Sequence, residues 1–131
     1  MLRIASPLPP AIEHLATEIV DAAFEVHKEL GPGLLESIYA AAMTIELEHR
    51  SLPFQREREV LLHYKERPLR MHRLDLVVGG AVLVELKAVE RLNVTHHAQV
   101  LSYLRASKLR LGLLINFNAA VIKGQIRRVI V

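Results

Sequence analysis

One stretch of the chain, Asp75 to Lys87, reads DLVVGGAVLVELK and leaves few folds open to it. Two β-rich runs flank a Gly-Gly step, the pattern of a hairpin. The second run, VLVEL, is apolar almost without alternation, as expected of a central strand covered on both faces. The first arm carries Asp75, and the second carries Glu85 and Lys87. Register decides whether these charges meet. A two-residue turn at Gly79-Gly80 pairs Asp75 with Val84 and sends Asp75 and Glu85 to opposite faces. A three-residue turn over Gly79, Gly80 and Ala81, with glycine supplying the positive φ of a bulge, pairs Asp75 with Glu85. Opposed β-carbons then lie ~5 Å apart. With a period of two, Glu85 and Lys87 share a face while Leu86 enters the other layer.

Such a cluster costs several kcal/mol per buried ion unless partners compensate. A divalent cation compensates: Mg²⁺ takes hard oxygen ligands and sits on one or two carboxylates plus waters and phosphate oxygens, an arrangement open to Asp75 and Glu85. It polarises a phosphate and lowers the pKa of bound water. Lys87 is placed to orient that water or to stabilise charge developing on the phosphate. An ordinary ion pair at a strand end is the bland alternative, because short acidic and basic matches recur by chance.

The remaining sequence limits where the hairpin can belong. At 131 residues the chain fits one domain, spanning 1–131, that buries roughly two thirds of its unfolded surface. Hydrophobic residues make up 51% and charged residues 24%, which is a globular balance. There is no cysteine, so neither disulfides nor thiolate metal sites are in play, and a reducing, cytoplasmic setting is expected. The start lacks the apolar core of a signal peptide, and no segment offers ~18 uncharged apolar residues, so no membrane partner is expected. A net charge of +3 points only mildly to an anionic partner.

Along the chain, Pro9 and Pro10 suit the first turn of a helix. Apolar residues at Ile12, Leu15, Ile19, Ala22, Ala23, Val26 and Leu30 keep helical spacing up to the Gly31-Pro32-Gly33 stop. A second helix restarts at about Leu34 and fades near Arg50. Strands follow from about Gln55 to Tyr64 and from about Leu69 to Val78, separated by a turn at Lys65-Glu66-Arg67-Pro68. After the central strand come a helix from about Val94 to Ser107 and the strand runs LRLGLLINF and IRRVIV. The order ααβββαββ, with one strand-helix-strand step, predicts an α/β fold with a mixed β-sheet flanked by helices.

The stretch GLLESIY from Gly33 to Tyr39 resembles the signature of the GxxExxY proteins, small prokaryotic members of the PD-(D/E)XK nuclease superfamily. The blocks FEVHKELGPGLLESIY, RLDLVV, VLVELKAVERL, HHAQVLSYLR and LGLLINFN are similar to that family as well. The resemblance implies a restriction-endonuclease-like core, with Asp75 and Glu85 as ligands of Mg²⁺ (Mn²⁺ as a substitute) and Lys87 as the catalytic lysine. It implies Glu36 as a further acidic residue at the metal, and Gln99 and Tyr103 as a QxxxY element beside the active site, associated with DNA contact. Two local departures stand out. Gln125 occupies the place of a frequent glycine, with Gly124 one position earlier, and Thr95 replaces a frequent proline and serves as an N-cap.

Each implied role has a plainer alternative. Glu36, third in a helix capped near Gly33, would complement the helix dipole. His96 joins Gln99 and Tyr103 on one helical face, where a polar stripe would ordinarily meet solvent. The adjacent His96-His97 pair diverges on a helix and makes a poor metal site. His27 reads as packed or capping, and Tyr39 as a core aromatic with its hydroxyl paired. Arg56, Arg58, Lys65, Arg67, Arg70, Arg73 and Arg127-Arg128 would track phosphates if they form one surface, although Glu57, Glu59 and Glu66 interrupt them. Two functions follow. One is a Mg²⁺-dependent nuclease acting on DNA, with RNA left open and a homodimer favoured if both strands are cut. The other is a non-catalytic nucleic-acid-binding or assembly module that keeps the nuclease fold.

Overall fold

In the computed structural model, which describes residues 6–131, the elements run in the expected order. They are α1 (Pro10–Leu30), α2 (Glu36–His49), β1 (Phe54–Tyr64), β2 (Arg67–Val78), β3 (Val82–Lys87), α3 (Val94–Ser107), β4 (Leu111–Asn116) and β5 (Ile126–Ile130). The five strands form one mixed sheet in the order β1-β2-β3-β4-β5. Only β3 and β4, the pair joined through α3, run parallel; a strand-helix-strand connection brings the chain back in the same direction.

Helices cover both faces of the sheet. On one face Ala16, Ile19, Ala22, Ala23 and Val26 of α1 and Tyr39, Met43 and Leu47 of α2 pack on Leu76, Val78, Val82, Val84 and Leu86. On the other, Val100 and Leu104 of α3 meet Val60, Leu74, Val77, Leu83 and Leu114. The unbroken apolar run of β3 is thereby explained, because each side chain has a layer to enter. α3 lies close on its face: a β-carbon at Gly112 would stand 2.6 Å from Val100 Cγ1, so β4 needs glycine there. An aromatic stack ties the α2 layer to the end of β4. Tyr39 and Phe117 lie parallel with centroids 4.6 Å apart. The Tyr39 hydroxyl donates to Gly31 O at 2.6 Å and accepts from Leu34 N at 3.2 Å. The core reading of Tyr39 holds, as does that of His27, which is buried with Nε2 2.7 Å from Ala119 O.

Three local expectations are corrected. The second helix begins at Glu36, with Leu35 as its extended N-cap, so Glu36 is the first helical residue and not the third. The β1–β2 turn is two residues long: Lys65 and Glu66 both take positive φ, 48° and 67°, as a twisted hairpin turn demands. Neither is glycine or asparagine, which is why the turn reading spread onto Arg67 and Pro68. Pro68 lies inside β2 at a register shift opposite Leu62/His63, where no third strand flanks it and its missing N–H leaves no ladder bond unmade. The cap of α3 is Asn93 and not Thr95.

Candidate active site

The β2–β3 hairpin turns over three residues. Pairing runs Val78↔Val82, Val77↔Leu83 and Leu76↔Val84, with Gly79 and Gly80 at φ 60° and 66°. Continued by one step, that register sets Asp75 against Glu85. The backbone ladder stops short of them, and the carboxylates occupy the freed amides instead. Glu85 Oε1 accepts from Asp75 N at 3.1 Å, and Asp75 Oδ2 accepts from Leu86 N at 2.8 Å. The other side of β2 is also irregular. Arg58 faces Leu74 and Arg56 faces Leu76, while Glu57, between them, adopts φ 54° opposite Asp75. Leu74 and Val77, three apart, enter the same α3-side core. Strand alternation therefore breaks at Asp75, leaving its carboxylate at a gap in the ladder.

The environment around this gap is strongly polarised. Glu85 is only 4% exposed. Its carboxyl is pushed up to about 8, first by burial and then by the Asp75 charge, while the Lys87 ammonium pulls the other way. Burial and then Asp75 also raise Glu36, and Lys87 again opposes. Glu36 is exposed overall, so solvent screening limits what that shift means for stability. Glu36, Ser37, Ala40, Arg56, Glu57 and Asp75 line a cleft of about 320 Å³. Among the described residues, no three His, Cys, Asp or Glu side chains gather into a group able to hold a metal by themselves. The donor set still fits a hard divalent cation. Two adjoining carboxylates, one of them buried and reluctant to ionise, are what such an ion neutralises, with waters and substrate oxygens completing its coordination.

The α3 residues divide. Asn93 accepts from Thr95 N and His96 N, while His96 Nδ1 accepts from Asn93 N at 3.2 Å, so the His96 ring closes a capping box. Gln99 is exposed on the same helix. Tyr103 turns toward the site: burial, then the charges of Glu85 and Asp75, raise its hydroxyl. Its ring stacks on His72 of β2, centroids 3.9 Å apart and planes 14° apart. Among the described residues, His72 Nε2 is the buried side-chain nitrogen or oxygen that has no hydrogen-bond partner, an omission that costs about 1–3 kcal/mol. Burial is also the main reason that the His72 imidazole is pushed down toward its neutral form.

Sequence reasoning missed His72, and it missed Asn116. Asn116 is fully buried opposite Lys87 and bonds both ways to the backbone of Val89, through Nδ2 at 2.9 Å and Oδ1 at 3.1 Å. It fixes the exit of β3 directly after the lysine. The one available signal was a polar residue ending an apolar strand. The basic residues have different surroundings: Arg70 and Arg73 line one cavity. Arg128 pairs with Glu13 and Arg127 donates to Gly124 O, whereas Arg56 lines the acidic cleft.

A mixed sheet covered on both faces, with two carboxylates and a lysine at the broken end of its central hairpin, defines a restriction-endonuclease-like core. The family model of the PD-(D/E)XK nuclease superfamily matches residues 13–129, and the chain belongs to that superfamily. Neither a curated protein nor a solved structure shows significant similarity to the chain. Among the described residues, no helix is long and apolar enough to cross a membrane.

Proposed function

We propose that the protein is a GxxExxY-type, Mg²⁺-dependent nuclease hydrolysing phosphodiester bonds in DNA. The observation that carries this reading is the Asp75–Glu85 pair, held together at a gap in the ladder with Lys87 beside it. Asp75 and Glu85 would hold the cation, with Glu36 as the third acidic group at the cleft. When bound, the cation supplies polarisation of the phosphate and a more acidic water. The chain's own residues do the rest. The amides of Asp75 and Leu86 fix the two carboxylates, and the Lys87 ammonium orients the attacking water and stabilises charge on the phosphate oxygens. Gln99, Tyr103 and, at the start of α3, His96 would contact the nucleic acid, a role supported for Tyr103 by its nearness to Glu85 and Asp75.

A gel assay on single-stranded, duplex and circular DNA and on RNA, with Mg²⁺ or Mn²⁺, tests this alongside Lys87→Ala. Cleavage by the native protein that vanishes in the variant supports the reading; equal cleavage by both removes the mechanism. A non-catalytic nucleic-acid-binding or assembly module that keeps the nuclease fold is the second reading. Metal-dependent binding to nucleic acid without turnover would sustain it. A homodimer belongs to the first reading if both strands of a duplex are cut, one site serving each strand.

A further inference from the structure

A second cavity lies beside the acidic pair and is not needed for the hydrolytic chemistry. It has a volume of about 590 Å³ and is lined by Leu62, Arg70, Met71, His72, Arg73 and Tyr103, so it is walled by the β1–β2 hairpin on one side and by α3 on the other. Its floor is the His72–Tyr103 stack. The acidic pair is close enough that Asp75 is felt by His72, and Glu85 and Asp75 by Tyr103. A strand crossing this cavity would therefore reach the acidic pair.

We propose that this cavity is a binding site for one unpaired nucleobase of the strand being processed, with Tyr103 and His72 as its stacking surfaces and His72 Nε2 as its polar contact. The inference rests on the nuclease reading and deepens it by assigning a single-stranded, frayed or flipped substrate.

Three features of the cavity converge on that ligand. A nucleobase presents a flat π face and a polar edge, and parallel aromatic rings are the surface on which proteins stack unpaired bases. In the free protein the two rings close on each other and leave Nε2 without a partner. Tyr103 itself is only partly buried, while its neighbours Val100 and Leu104 anchor α3 in the core, so its side chain can swing aside with the helix unmoved. A base entering between the parted rings stacks on both and gives Nε2 the partner it lacks. A neutral imidazole carries both a donor and an acceptor, which suits a base edge. Arg70 and Arg73 on the cavity wall meet the flanking phosphates. A base inside a duplex has both faces covered and cannot enter without being flipped out.

The test is fluorescence anisotropy in EDTA, where no cleavage occurs, using labelled oligothymidylate and oligouridylate of about twelve nucleotides and a blunt duplex of the same length. Wild type is expected to bind the single strands more tightly than the duplex. His72→Phe keeps a ring on Tyr103 and removes the buried nitrogen. It should melt at or above the wild-type temperature and lose about tenfold in single-strand affinity. Tyr103→Leu, at a partly exposed position that a leucine fills, should lose as much with its fold intact. The ratio of thymidylate to uridylate binding assigns DNA or RNA. Unchanged affinity in both variants, or a duplex bound as tightly as a single strand, overturns the proposal. Failure of the two readings is distinguishable. His72-dependent binding without any metal-dependent cleavage removes the nuclease and keeps the base site. Cleavage that persists in His72→Phe with unchanged affinity removes the base site and keeps the nuclease.

Discussion

The two halves of β2 are parts of one strand in different physical situations. From Leu76 to Val78 it pairs with a strand on each side, helices lie above and below, and from Leu74 onward every residue but Asp75 is buried. From Arg67 to Arg73 it pairs with β1 alone, and Leu69 and Met71 are 66% and 48% exposed. The proposed chemistry sits where one regime gives way to the other. His72 and Asp75 flank the junction, where pairing to β3 ends and alternation breaks. Polar groups there are buried enough to be perturbed and open enough to be reached, a combination that neither half of the strand offers alone.

Four measurements break or sharpen this contrast. The largest expected effect is on chemistry. Lys87→Ala should lower cleavage by roughly 10²–10³-fold while leaving the melting temperature near wild type, read by single-turnover kinetics and a thermal melt. Next is Leu76→Ala, in the enclosed half of β2, which should cost about 2–5 kcal/mol in denaturant unfolding. A smaller, pH-dependent effect is expected at the junction. The folded pKa of Glu85, about 8, lies above its ordinary value of 4.5, so the native state holds the extra proton between those values. Stability of the metal-free protein should then be fully present below about pH 4.5 and fall as pH rises through about 8. Glu85→Gln should flatten that slope and stabilise the metal-free protein at pH 8 by about 0.5–2 kcal/mol, and melts in EDTA at pH 5 and pH 8 would show it. The smallest effect belongs to the open half: Leu69→Ala should change stability by less than about 0.5 kcal/mol. A loss at Leu69 comparable to that at Leu76 would erase the distinction.

Legibility in the sequence followed the same boundary. Where one physical cause dominates, residues announced themselves: the periodic apolar face of α1, the doubly buried run of β3, and the glycines that marked the β2–β3 turn while admitting two registers, of which the structure adopts the three-residue one. The α3 boundaries were legible too, but not its cap, because Asn93 and Thr95 are both good capping residues and only the His96 ring distinguishes them. His72 was invisible because its role depends on Tyr103, distant in sequence, and on an alternation break that no pattern of period two contains. Asn116 was missed because its four-way service to Val89, Gln125 and Asn118 exists only once β4 lies beside β3. Lys65-Glu66 made a turn from residues that do not favour one, imposed by the strands on either side.

The stack of Tyr39 on Phe117 gives the site a common mechanical datum. Phe117 N donates to Lys87 O at 2.9 Å, and Tyr39 lies one helical turn past Glu36 while tethering Gly31 and Leu34 ahead of it. The acidic residue from α2 and the lysine from β3 are thus surveyed from the same pair of rings. A shift of that pair would reach the α2 acid and the end of β3 together, moving both against Asp75 of β2. Slight repacking deep in the helical layer would therefore retune the site as a unit, without any change to the residues that face the cleft.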